Sequence, residues 1–76
     1  MTVGDLEDLL LAALVKRAGG TKRRWRIVLG PVKVYDPATH PHCNWQASPS
    51  GTSRENDVVE RLMDEVRTRY PRVRGA

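Results

Sequence analysis

Lys16, Arg17, Lys22, Arg23, Arg24, Arg26 and Lys33 follow one another along the chain with no acidic residue among them. Cations gathered in this way neutralise phosphates or other anions and release the counterions those anions carried. A second basic set, Arg67, Arg69, Arg72 and Arg74, lies near the C-terminus. Of the 13 basic residues ten are arginine, set against 9 acidic residues for a net charge of +4. Arginine suits phosphate because its planar fork bonds two oxygens at once. A GC-rich genome also raises the arginine count, so the distribution of charge says more than its total.

Three other clusters hold chemically competent side chains. His40, His42 and Cys43, with Asp36 nearby, are transition-metal ligands by type. Four residues so close together in one loop close a tetrahedral site poorly, and no second Cys/His cluster exists, so no metal is assigned. Cys43 alternates with Trp45 and Ala47, which turns its thiol toward the core, where thiols are inert. The turn Ser48-Pro-Ser-Gly-Thr-Ser53, followed by Arg54, leads into a helix N-terminus, a geometry that can hold phosphate or sulfate. Its ordinary role is turn plus cap, and that role is preferred. Gly19-Gly20 and Gly51 lack the spacing of a P-loop or a dinucleotide-binding loop. No Ser–His–acid set can be assembled, and the acids of the last helix pair along it, as in Asp57–Arg61. The chain therefore reads as a non-enzymatic protein without a cofactor.

The elements that position these residues are written unevenly. A helix is expected from Gly4 to Ala18, capped by Thr2 with Asp5 and stopped by Gly19-Gly20. Leu6, Leu9, Leu10, Ala13 and Leu14 form its apolar face. Leu11 and Val15 widen that face enough to need cover on two sides, from the sheet and from a second chain. From Arg23 to Asp36 the period changes to two. Trp25, Ile27 and Leu29 alternate with Arg24, Arg26 and Val28, the pattern of a half-buried strand. Gly30-Pro31 interrupts it, as either a hairpin turn or a bulge, before Val32 and Val34 alternate with Lys33 and Tyr35. After the proline-containing loop Asp36–His42, Cys43, Trp45 and Ala47 mark another short strand. Val58, Val59, Leu62, Met63 and Val66 then form the stripe of an amphipathic helix over Thr52–Tyr70, capped by Thr52 with Glu55 and ended by Pro71.

The expected fold is α+β: a helix, two or three antiparallel strands and a helix, with both helices on one face of the sheet. The opposite face would then carry Arg24, Arg26, Val28, Lys33, Tyr35, Asn44 and Gln46. Nucleic acid, DNA or RNA, is the favoured partner of that basic sheet face, through Lys22, Arg23, Arg24, Arg26 and Lys33, with Tyr35 as a platform for a stacked base. The helix–strands–helix order is similar to that of double-stranded RNA-binding domains, which read A-form shape. Those domains place several lysines at the start of their last helix, where this chain has Arg54 followed by Glu55 and Asp57. The alternative is a protein-interaction or regulatory module acting as a homodimer or subunit without nucleic acid, including an accessory protein of a phage or mobile element.

A chain of 76 residues supports one domain, here residues 1–71 with 72–76 as a basic, flexible tail. So short a chain buries only about 60% of the surface its unfolded form exposes, and oligomerisation is one way to bury more. The absence of Phe leaves Trp25 and Trp45 to supply much of the packing volume. The single Cys43 fits a reducing compartment. The run Leu9–Val15 falls far below the roughly 18 residues of a membrane span, and the acidic start is unlike a secretory signal. The expected setting is soluble and cytoplasmic, without a membrane.

Overall fold

The computed structural model describes residues 1–75. It is an α+β domain in the order α1 (Val3–Ala18), α2 (Lys22–Leu29), β1 (Lys33–Val34), β2 (Trp45–Gln46) and α3 (Ser53–Arg69). The strands pair antiparallel, with Lys33 opposite Gln46 and Val34 opposite Trp45. No described helix is long and apolar enough to cross a membrane.

Both long helices form where their caps place them. The Thr2 hydroxyl accepts from the Asp5 N–H at 3.2 Å, and the Asp5 carboxylate accepts from the Thr2 N–H at 3.1 Å. Thr52 and Glu55 repeat the exchange at the start of α3. These reciprocal bonds satisfy N–H groups that a helix start otherwise leaves open. Gly19, at φ 75°, ends α1.

The expected strand over Arg23–Leu29 is instead the helix α2, and this is the main correction to the sequence reading. Trp25, Val28 and Leu29 are spaced i, i+3 and i+4 and are all buried. Strand alternation would turn Ile27 inward and Val28 outward. In the structure Ile27 is 61% exposed and Val28 is fully buried. Two local signals favour the helix. The Thr21 hydroxyl accepts from the Arg24 N–H at 3.1 Å as an N-cap, and lysine and arginine are good helix formers. Gly30, at φ 66°, is the C-cap, so Gly30-Pro31 is a helix stop rather than a hairpin turn or a bulge. A short apolar run satisfies helical and strand periods together, and here the caps decide between them.

One core joins all the elements. α1 contributes Leu6, Leu10, Leu11 and Leu14, α2 contributes Trp25, Val28 and Leu29, and α3 contributes Val59, Leu62, Met63 and Val66, with Val32, Trp45, Ala47 and Val73 completing it. The broad face of α1 packs on both α2 and α3, which supply much of the cover the sequence left to a second chain. Each tryptophan is buried with its N–H satisfied at the end of a helix. The Trp25 indole donates to the Gly19 carbonyl and the Trp45 indole to the Tyr70 carbonyl, both at 2.8 Å.

The segment read as a loose tail is held over Arg72–Arg74, while Ala76 lies outside the described residues. Val73 is 5% exposed, and Arg74 pairs with the N-terminus through Val3 N–H to Arg74 carbonyl at 2.7 Å and Arg74 N–H to Met1 carbonyl at 2.9 Å. Asn44 makes the junction. Its side chain accepts from the Val73 N–H at 2.9 Å and donates to the carbonyls of Val73 and Tyr35 at 2.8 and 3.2 Å. No periodicity marks a lone valine after a proline, so nothing in the local pattern announces this docking.

Asn44→Ala removes every one of these side-chain bonds in a buried setting. It is expected to lower stability by about 1–3 kcal/mol in urea unfolding, with faster hydrogen exchange at the Val73 N–H. Gly51 tests a second close approach. A Cβ there would lie 2.9 Å from both γ carbons of buried Val28 and 2.6 Å from the Glu55 carboxylate. Gly51→Ala is expected to cost about 1–3 kcal/mol in the same measurement.

Candidate nucleic-acid interface

The correction to α2 redistributes the residues expected on one sheet face. Lys22, Arg23, Arg24 and Arg26 lie on a helix, while Lys33 is on β1 and Tyr35 just beyond it. Val28 is buried, and Asn44 is 1% exposed. No continuous sheet face collects these groups, because the strands are two residues long and Arg24 and Arg26 are not in them.

Burial of Trp25, Val28 and Leu29 points one side of α2 inward and leaves Lys22, Arg23, Arg26 and Ile27 exposed on the other. Lys22 and Arg26 are one turn apart, as are Arg23 and Ile27, so they form two adjacent ridges. Lys22, Arg23 and Arg24 also occupy the first turn, which contains no acid. Positive charge is unfavourable at that end of a helix, because the free N–H groups already carry partial positive charge. Positive charge is nonetheless concentrated on the exposed side of α2.

Arg24 stands apart from its neighbours. Its guanidinium grips the Glu55 carboxylate with two bonds, Nε to Oε2 at 3.0 Å and Nη2 to Oε1 at 2.8 Å. Glu55 also accepts from the Thr52 N–H at 2.9 Å, so one carboxylate caps α3 and ties it to α2. The Arg24 bond, then the Thr52 N–H, hold the Glu55 carboxyl down to about 2, and Glu55 in turn raises the Arg24 guanidinium above its ordinary value. Arg24 therefore orients α2, while Lys22, Arg23 and Arg26 make no ion pair among the described residues. Among the described residues, Lys16, Lys22, Arg23, Arg26 and Lys33 form no ion pair, and neither do Arg54, Arg69, Arg72 and Arg74, whereas Arg17 pairs with Glu65, Arg61 with Asp57 and Arg67 with Asp64. What sets α2 apart is that its three unpaired cations share eight residues with no acid among them.

Tyr35 belongs to a different groove. It stacks on His40 with ring centroids 4.4 Å apart and planes 18° from parallel. Cys43, Trp45, Gln46 and Arg67 complete the lining, and none of these residues is on α2. The Arg67 guanidinium sits 5.1 Å from the centre of the Trp45 ring and also donates to Gln46. Three of the four loop groups weighed as metal ligands, all but His42, have local partners: Asp36 Oδ1 with the Ala38 N–H at 2.9 Å, His40 Nδ1 with the Thr39 hydroxyl at 2.9 Å, and the Cys43 thiol with the Trp45 carbonyl at 3.4 Å. Among the described residues no group of three or more His, Cys, Asp or Glu is placed to hold a metal.

The Ser48–Arg54 turn spends N–H groups on itself and on α2. Ser50 donates to the Val28 carbonyl at 2.9 Å, Gly51 to Asn56 Oδ1 at 2.8 Å and Thr52 to Glu55, which leaves turn and cap as its role. Sequence reasoning missed Ile27 as a surface residue. The signal was the Thr21 cap followed by apolar residues at Trp25, Val28 and Leu29.

The Arg24–Glu55 clamp has a pH signature. A carboxylate whose pKa is depressed in the folded state adds stability above its unfolded value and loses it as pH falls through the folded value. For Glu55 that window runs from about pH 4.5 down to about pH 2. Glu55→Gln is expected to melt below wild type at pH 7, and the gap between their thermal midpoints should close across that window. Asp5 and Glu65 are also lowered, but they titrate in both proteins and cancel from the difference.

No protein-family model, no curated protein and no solved structure matches this chain.

Proposed function

We propose that this chain is a small, non-enzymatic nucleic-acid-binding module that contacts the phosphate backbone through the exposed side of α2. The observation that carries this reading is the set Lys22, Arg23 and Arg26, three exposed cations on one helix with no acidic partner. Lys16 and Lys33, also unpaired, come from the flanking elements and extend the same run of charge. Phosphate contacts of this kind supply affinity and orientation without requiring a deep pocket. A cytoplasmic setting belongs to the same reading and rests on the single thiol, Cys43.

The homodimer alternative drew its support from the wide apolar face of α1. Leu6, Leu10, Leu11 and Leu14 are buried within the single chain, and Leu9, Ala13 and Val15 are half-buried against the core. That arrangement favours the cationic surface over a second copy as the feature in need of a partner.

Arg23→Ala with Arg26→Ala tests the reading, because both side chains are exposed and neither bonds to the core. Fluorescence anisotropy across a salt series with duplex DNA should show affinity falling by about tenfold or more at moderate salt. The slope of log affinity against log salt should shrink by about 1.8, since each arginine would neutralise one phosphate. Arg61→Ala, which removes a cation already paired on α3, should leave both quantities unchanged. Unaltered affinity and slope in the α2 double variant, with its circular dichroism intact, would overturn the assignment. Arg24→Ala is the wrong probe, since it breaks the clamp to Glu55.

A further inference from the structure

We infer that α2 enters the major groove of duplex DNA and that Ile27 reads the 5-methyl group of thymine there. The inference rests on the nucleic-acid reading above and adds what kind of nucleic acid is bound and which residue senses sequence. α1 and α2 are joined by the turn Gly19-Gly20-Thr21, whose glycines sit at φ 75° and 81°. Two helices joined by a short glycine-containing turn form the kind of unit in which the second helix projects into a groove. α2 has eight residues and is therefore about 12 Å long, and a helix with its side chains is about 10–12 Å across, which the B-DNA major groove, about 12 Å wide, admits.

The exposed side of α2 is not uniformly cationic. Ile27 is 61% exposed, against 37% for each of Met1, Tyr35 and Tyr70, the other large apolar or aromatic side chains at the surface. It lies one turn after Arg23 and beside Arg26, so cations suited to phosphate flank an apolar tip suited to a methyl group. In the major groove that methyl group belongs to thymine, and apolar side chains recognise it by contact. The fold makes no use of this isoleucine, since the core takes Trp25, Val28 and Leu29 instead.

The same surface is poorly matched to other nucleic acids. The major groove of A-form RNA is deep and narrow, and side chains cannot read it. Single strands are held by stacking on aromatic rings. The aromatic residue of α2, Trp25, is 5% exposed, and Tyr35 lies in the other groove. A membrane surface calls for an apolar face, where α2 exposes one apolar side chain among three cations.

The deciding experiment selects bound sequences from a pool of short, randomised DNA duplexes, made once with thymine and once with uracil in its place. Wild type is expected to enrich thymine at a defined position and to bind duplex RNA of equal length about tenfold or more weakly at the same salt. On the enriched duplex, uracil substitution should cost about fourfold, the worth of one buried methyl, Ile27→Ala, which removes three carbons, at least as much, and the two together little more than Ile27→Ala alone. An unchanged thermal midpoint for Ile27→Ala would confirm that the loss is not one of folding. Salt-sensitive binding with no thymine preference, the same preference in Ile27→Ala, or equal affinity for duplex RNA would overturn the groove assignment while leaving phosphate contact in place. No binding of wild type to any duplex at low salt would overturn both readings.

Discussion

Burial of Trp25, Val28 and Leu29 sets the rotation of α2, and with it every surface this domain offers at that edge. Eight residues are too few for a helix to be stable alone, so α2 exists because its apolar side packs on α1 and α3. Once that side is inward, Lys22, Arg23, Arg26 and Ile27 must face out. The Arg24–Glu55 pair works at the boundary between the two sides. An exposed ion pair contributes little stability in water. With two bonds in fixed geometry, however, it opposes rotation of α2 about its own axis more effectively than a single contact would. The carboxylate that holds Arg24 also caps α3, so the register of one helix is tied to the start of another.

Much of this architecture was legible in the chain, and the illegible part has a physical reason. Thr2 with Asp5 and Thr52 with Glu55 mark helix starts because a cap is a local interaction, complete within four residues. The stripe of α3 repeats over enough turns to exclude a strand. α2 offers barely two turns, in which Trp25, Ile27 and Leu29 satisfy one period while Trp25, Val28 and Leu29 satisfy the other. The difference between a basic sheet face and a basic helix therefore came down to Thr21 and Gly30, one residue at each end. Asn44 and Val73 illustrate a separate limit. Their bonds join residues 29 positions apart, and nothing near either one in sequence announces the other.

Charge is placed differently on the two helices of this arginine-rich chain. Base composition can raise the number of arginines throughout, but it does not decide which of them find carboxylates. On α3 the arginines are interleaved with Glu55, Asp57, Glu60, Asp64 and Glu65, and two of them make ion pairs within the helix. α2 carries four cations and no acid, and the one that is paired reaches across to α3. The contrast between the two helices belongs to the sequence of α2 itself.

Three cations in the first turn of α2 repel one another and the helix dipole, so the apolar side of the helix holds them together against that repulsion. A polyanion laid along α2 relieves the repulsion in the folded state. In the unfolded chain the same cations are spread over an extended segment, where they repel one another less and match a regular phosphate spacing less well. A ligand that binds the folded state more tightly must stabilise it. In a domain this small, with little apolar surface to spare, the cationic side and the apolar side of α2 are therefore not independent. Whatever neutralises the first strengthens the packing of the second, and the clamp at Arg24 carries that coupling to α3.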